Sequence, residues 1–214
     1  MDPISKELQR HYSETFSLHG PTSMGVDWGS DEPSMLLRYK KMLAIFDGSL
    51  SSKPSILDVG CGFGGLLEFS KKNDIDLDYT GVDVVANMIE WASINLNCGK
   101  FIHGDIIDYR FNCKFDYVVC NGILTQKMSV SSIDMDLFSA KLIKKMYSLC
   151  RRGIAFNIMT TKVNYFSNNL YYRNPSEIFS WCISEITPHI VIDHAYPLYE
   201  YTVYLYREPS TSSS

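Results

Sequence analysis

The run Leu57-Asp58-Val59-Gly60-Cys61-Gly62-Phe63-Gly64-Gly65 is the sharpest chemical signal in the chain. Glycines let a backbone turn sharply, and they let a ligand lie against the main chain with no Cβ in the way. An apolar segment (55–59) precedes the run and a helical pattern (64–72) follows it. That strand-to-helix context is what makes a glycine loop credible as a nucleotide cradle. The spacing reads two ways: Gly60, Gly62 and Gly65 fit GxGxxG, while Asp58, Gly60, Gly62 and Gly64 fit DxGxGxG. Asp83 ends the next apolar segment, 23 residues after Gly60. A carboxylate at about that distance accepts hydrogen bonds from both hydroxyls of an adenosine ribose. Asp105, within Gly104-Asp105-Ile106, ends a third apolar segment beside the same crevice.

These groups converge only if parallel strands bring them to one sheet edge. Apolar segments at 55–59, 78–85, 100–106, 115–123 and 154–159 alternate with helical patterns at 64–72, 86–97 and 132–150, the last ended by Gly153. Such alternation means βαβ units with right-handed crossovers, and helices on both faces explain why the strands are continuous apolar runs. A further helix is predicted over 174–185, capped by Asn174 with Pro175 at its first position. Strands at 190–196 and 201–207 are joined only by Pro197-Leu198-Tyr199-Glu200, too short for a crossover, so they pair antiparallel. Ahead of this alternation, Ile4, Leu8, Tyr12 and Phe16 mark an amphipathic helix over 4–18 that stops at His19-Gly20-Pro21. A second helix runs from Pro33 through Leu36, Tyr39, Met42, Leu43 and Phe46 to Asp47-Gly48, before a polar connector at 49–54. The expected organisation is a helical lid or cap over 1–48, an α/β core over 49–208 and a disordered Ser/Thr-rich tail over 209–214.

Composition narrows the function. The 214 residues suit one domain, and a net charge of −4 argues against broad neutralisation of nucleic-acid phosphates. The six cysteines are widely spaced with no CxxC pair, which fits reduced thiols packed as small hydrophobes in a cytoplasmic protein. Residues 2–10 are too polar for a signal peptide and no apolar run approaches about 18 residues, so no membrane partner is expected. The histidines lack metal-ligand spacing such as HxxxH, so no metal is expected. Eight of the 14 tyrosines fall after residue 160, beyond the glycine-loop half of the sheet.

The stretches ILDVGCGFGG (56–65), YTGVDVVANMIEWA (79–92), FIHGDIIDY (101–109) and FDYVVCNGIL (115–124) resemble the class I S-adenosylmethionine-dependent methyltransferases. With the terminal antiparallel pair, the resemblance spans roughly residues 33 to 208. It implies a Rossmann-like, doubly wound, seven-stranded, mostly parallel sheet, with S-adenosyl-L-methionine as cofactor. It also implies that Gly60, Cys61 and Gly62 pass under the methionine part, with Asp58 holding the loop or meeting the amino group. Asp83 would take the ribose hydroxyls, Val84 and Met88 would pack near the adenine, and Asp105 and Ile106 would border it. Asn121 would face the methionine end and the acceptor. Arg38 would either meet the methionine carboxylate or stand as a solvated helix residue. A nicotinamide-dependent reductase is disfavoured, because no tyrosine has a lysine four residues on and two helices precede the glycine loop.

The acceptor is less legible, since methyl transfer is mostly positioning and needs a base only when the nucleophile arrives protonated. Cys120-Asn121-Gly122-Ile123 lacks the Asn/Asp-Pro-Pro-aromatic and Pro-Cys signatures of nucleic-acid methylases. The expectation is transfer to O or N of a small molecule, such as a sugar, natural product or glycan precursor. A protein methyltransferase or a non-catalytic partner subunit is the alternative, and a homodimer is compatible with either. Residues 11–28 are the expected lid over the cofactor. Within it Trp28 would wall the acceptor pocket or pack the loop, and His19 would meet substrate or stabilise the helix end. His194 is the candidate catalytic base, oriented by Asp193 or Glu200, and Tyr165 and Tyr196 are candidate substrate contacts. His103, inside the third strand, is expected to be a core residue.

Overall fold

The computed structural model describes residues 1–46 and 53–209. Strands β1 (Ser55–Val59), β2 (Asp78–Asp83), β3 (Lys100–His103), β4 (Phe115–Cys120) and β5 (Cys150–Thr160) are joined by β6 (Tyr172–Arg173), β7 (Ile190–Asp193) and β8 (Glu200–Tyr206). They form one sheet in the order β3-β2-β1-β4-β5-β8-β7, parallel from β3 to β5. β8 lies antiparallel between β5 and β7, as so short a connection requires. The register puts Val59 beside both Val82 and Cys120, and Cys120 beside Phe156. The residues that follow these strands, including Gly60 and Asn121, therefore leave the sheet along one edge.

Helices α1 (Pro3–His19), α2 (Glu32–Leu43), α3 (Gly65–Lys72), α4 (Ala86–Asn95), α5 (Ser132–Leu149) and α6 (Pro175–Glu185) cover both faces. Strand side chains alternate between two cores. Leu57, Val118, Cys120, Ile154 and Phe156 meet α5, α6 and the start of α1, while Ile56, Tyr117, Val119 and Ala155 meet α2 and α3. In β8 the same alternation sends Tyr201, Val203 and Leu205 one way and Tyr204 and Tyr206 the other. Ile4 and Leu8 of α1 thus share the main core with the strands, so α1 is held by apolar burial.

Four features differ from the sequence reading. Strands β2, β3, β4 and β7 stop two or three residues before their predicted ends. The cause at β2 and β3 is local: Asp83 Oδ1 accepts from Val85 N–H at 2.8 Å, and Asp105 Oδ1 accepts from Ile107 N–H at 3.0 Å, bonds that turn the chain out of the ladder. Gly153 does not end α5, which stops at Leu149; it lies within β5, where an added Cβ would stand 2.8 Å from the Leu205 carbonyl oxygen. The two-residue strand β6 had no sequence signal. His103 is exposed because β3 is the sheet's edge, and its Nε2 lies 3.1 Å from the Val84 carbonyl oxygen. The expected helix end at Asp47-Gly48, most of the connector and the tail beyond 209 lie outside the described residues.

Candidate active site

The glycine loop settles which pattern it follows. Gly60, Gly62 and Gly64 have φ of 72°, 54° and 86°, whereas Gly65 has none in the left-handed region and opens α3, so the alternating DxGxGxG reading holds. A side chain at Gly60 would also place its Cβ 2.6 Å from Ile123 Cδ1. The loop is pinned across the sheet. Gly60 N–H donates to the Val82 carbonyl at 2.8 Å, and Gly62 N–H donates to Asp83 Oδ2 at 2.8 Å. Asp83 therefore ties the loop to the start of α4 with both oxygens. Asp58, buried beneath, accepts from the Tyr79 hydroxyl at 2.6 Å. Asp105 Oδ2 accepts from the backbone N–H of Asp2 at 3.1 Å, which docks the head of α1 on the third acidic residue.

Above the loop lies a cavity of about 930 Å³, its mouth included. Asp58, Gly60, Cys61, Gly62, Asp83, Val84, Met88, Asp105, Ile106 and Asn121 all lie on its wall. Ser5, Leu8 and Tyr12 of α1, with Val26 and Trp28 of the following loop, complete the lining. Most of it is apolar, with few polar groups placed to fix an orientation, the usual make-up of a small-ligand site.

Arg38 is off the wall, and it is not a solvated helix residue either. Its guanidinium lies 5.2 Å from the centre of the Trp28 ring, and its Nε donates to both Glu200 oxygens at 3.2 and 3.0 Å. Asn157 donates to Glu200 Oε1 at 3.1 Å and accepts from Gly122 N–H at 2.8 Å, so one polar chain crosses from β8 to the loop after β4. Trp28 Nε1 covers Gly122 so closely that an added Cβ would stand 3.1 Å from it. Beside this chain, Arg38 Nη1 and both side-chain atoms of Asn121 are buried without a hydrogen-bond partner among the described residues. Orphaned buried groups of this kind cost about 1–3 kcal/mol each unless a ligand meets them. An amide at one end, with three carboxylates spaced along the wall, forms a donor set that fits an adenosyl amino acid. The amide suits its zwitterionic end, and Asp83 and Asp105 suit hydroxyls and an amine.

Burial pushes the Asp58 carboxyl up to about 7, against the pull of its bond from Tyr79, and pushes Asp83 up against the pull of the Gly62 and Val85 amides. The ligand-free chain therefore holds protons that the unfolded chain, titrating near 4, releases. The stabilisation from this proton uptake is fully present below the unfolded value and is lost as pH rises through the folded one. From about pH 5 to about pH 8, Asp58 alone is expected to remove roughly 2–3 kcal/mol, or about 5–10 °C of Tm. Melting curves of the ligand-free protein check this, and Asp58→Asn should flatten the slope. An equal slope in that variant would assign the effect elsewhere.

Other residues singled out in the sequence are not brought to the cavity. His194 is exposed, its ring 5.8 Å from that of Tyr201. Both of its proposed orienting carboxylates are engaged, Asp193 with Lys41 Nζ at 2.6 Å and Glu200 with Arg38. Tyr196 lies under Lys41, 4.7 Å from the ring centre, and its hydroxyl is 2.9 Å from Thr202 Oγ1. Tyr165 is 76% exposed on the connection between β5 and β6. His19 is the last residue of α1 and is half-buried away from the lining. Conversely, the cavity lining extends further toward the N-terminus than residues 11–28, since Ser5 and Leu8 also belong to it. The four-residue stripe through Leu8 and Tyr12 was the available signal for that buried face.

Strand order, glycine loop and acidic wall define a Rossmann-like fold built around an adenosyl cofactor. Residues 56–153 match the family described as methyltransferase domain. Rv1506c of Mycobacterium tuberculosis, described as a methyltransferase, is 28% identical over 151 residues, covering 70% of this chain and 90% of that protein. Among solved structures, magnesium protoporphyrin IX methyltransferase from Synechocystis PCC 6803 with bound S-adenosylmethionine has a TM-score of 0.65 at 15% identity, covering 97% of this chain and 99% of that one. The plantazolicin methyltransferase BpumL, in complex with a pentazolic analogue and S-adenosylhomocysteine, has a TM-score of 0.59 at 14% identity, covering 96% and 99%. At such identities these two structures speak for the fold. The chain therefore carries a methyltransferase domain over residues 56–153, on the fold shared with S-adenosylmethionine-dependent methyltransferases.

Proposed function

We propose that this enzyme transfers the methyl group to an oxygen or nitrogen of a small-molecule acceptor, such as a sugar, natural product or glycan precursor. The observation that carries the reading is the roof: α1 and the loop bearing Val26 and Trp28 cover part of the cavity over the glycine loop. A partly roofed site suits a small acceptor, whereas a protein substrate needs an open groove along which a chain can lie. The acceptors named for two structural neighbours, a magnesium porphyrin and a pentazolic compound, are also small molecules. S-adenosylmethionine supplies an electrophilic methyl carbon on a sulfonium. In this reading Asp83 binds the ribose hydroxyls and Asp105 and Ile106 border the adenine. Asn121 holds the amino-acid end, with Asp58 beneath the loop and Arg38 behind Trp28. Residues 1–48 act as the lid, and Trp28 walls the acceptor side.

Incubating the enzyme with methyl-labelled cofactor and a dialysed or whole cell extract tests the proposal. Label is expected in the low-mass fraction and to vanish when that extract is dialysed. Label that precipitates with protein would replace this reading with a protein methyltransferase.

A further inference from the structure

Trp28 lines the cavity and carries a donor that the protein leaves unused. Its ring is held by the Arg38 guanidinium, 5.2 Å from its centre, and by the Tyr39 ring at 5.6 Å, tilted by 55°. Its backbone N–H donates to the Ser23 carbonyl at 2.8 Å. The indole edge so fixed lies against Gly122, where a Cβ would stand 3.1 Å from Nε1 and 3.2 Å from Cζ2. The indole N–H makes no hydrogen bond among the described residues. One residue before that glycine, the Asn121 side chain is 8% exposed, and both of its polar atoms also lack a partner. Its Oδ1 suits the ammonium of the cofactor's amino-acid end, which leaves Nδ2–H as a second donor. Two neutral donors therefore stand where β4 leaves the sheet, on the side given to the acceptor.

No base accompanies them. Among the described residues no histidine, lysine or glutamate lines the cavity, and its titratable groups are Tyr12, Tyr39, Asp58, Cys61, Asp83 and Asp105. Asp83 and Asp105 belong to the ends of β2 and β3, two and three strands from β4, roughly 10 and 14 Å at the usual strand spacing. Each already accepts a backbone N–H on both oxygens. Asp58 is turned to the Tyr79 hydroxyl beneath the loop. The Cys61 thiol is turned to Gly81 of β2, and the Tyr39 hydroxyl is packed against Gly65. Tyr12 packs with Phe16, Phe63, Val85 and Met88 on the adenine side. Burial pushes the ionisation of this thiol and both phenols up, so all three keep their protons.

We infer that the group methylated is a carboxylate, held by Trp28 Nε1–H and Asn121 Nδ2–H, and that the product is a methyl ester. The inference rests on the small-molecule reading above and narrows it. A hydroxyl or an ammonium arrives with a proton that no lining group is placed to take, whereas a carboxylate is already ionised at neutral pH. Its oxygen forms the new bond to the methyl carbon as the carbon–sulfur bond breaks. The electron pair of that bond stays on sulfur, and no proton moves. Neutral donors are enough because anion and sulfonium cancel as they react.

The chemistry of the product tests this. The enzyme is incubated with methyl-labelled cofactor and whole cell extract, and the low-mass fraction is then treated with mild alkali. A methyl ester is saponified and gives up its label as volatile methanol, whereas methyl ethers and N-methyl groups keep theirs. Most of the low-mass label is expected to become volatile. Trp28→Phe is expected to slow its formation at least about tenfold, the effect of a lost hydrogen bond to a charged group. Calorimetry on the same variant should find S-adenosylhomocysteine affinity within about twofold of the original. Low-mass label that survives alkali would overturn the carboxylate and leave the small-molecule reading standing. Label that precipitates with protein would overturn both. An unchanged rate in Trp28→Phe, or an equal loss of rate and of S-adenosylhomocysteine affinity, would remove Trp28 from the acceptor subsite.

Discussion

Asp83→Ala is expected to weaken S-adenosylmethionine binding roughly 100-fold, the loss that follows when two or more hydrogen bonds to a carboxylate go. The size reflects two duties. One, in the proposed binding mode, is direct, toward the ribose hydroxyls. The other is architectural, since Asp83 Oδ2 accepts from Gly62 N–H and Oδ1 accepts from Val85 N–H, both at 2.8 Å. Without it the left-handed glycine loop loses its tie to β2, and the cavity floor loses definition. Asp83→Asn separates the duties: one oxygen remains to accept, but the second becomes an amide donor facing a donor. An intermediate loss, about tenfold, is expected there. Calorimetry decides, and an alanine variant within about threefold of the original affinity would remove Asp83 from the site.

Glu200→Ala is expected to cost about 3–5 kcal/mol of stability, visible as a lowered urea midpoint and about 10 °C or more in Tm. Glu200 is 2% exposed and Arg38 16%, so removing the carboxylate strands a guanidinium that water cannot fully reach. Asn157 Nδ2 loses its acceptor as well. The pair itself need not be worth that much, because replacing two buried charges by apolar groups is often neutral. A double variant, Arg38→Met with Glu200→Leu, should therefore recover much of the loss. A Glu200→Ala cost below about 1 kcal/mol would show that solvent reaches the pair freely.

These two residues mark what was legible at different depths. Asp83 was readable because its distance from Gly60 along the chain is set by one βα unit, and the unit's length is set by periodic apolar residues. The same holds for Asp58, Asp105 and Asn121, each placed by the end of its own strand on a common edge. Glu200 was noticed only as a partner for His194, since nothing local joins it to Arg38, 162 residues away. His194 failed as a site residue for the complementary reason: its neighbours in the chain, Asp193 and Glu200, are claimed by α2. Tyr196 went the same way, drawn under Lys41 by that helix.

The order of residues by itself determined the βαβ layout, the parallel sheet with its antiparallel end, and the acidic wall of the cofactor cleft. It could do so because strand and helix periods are local, and strand ends inherit their edge from the sheet. Only the tertiary structure decided between GxGxxG and DxGxGxG, since the choice lies in the sign of φ at Gly64 and Gly65. It alone swung α1 over the cavity through the bond from Asp2 to Asp105 and the clasp of His11 on Asp27, and so turned Tyr12 from a stripe residue into a lining one. A side chain's partner across more than a hundred residues depends on how whole helices dock, and no window of sequence holds that information.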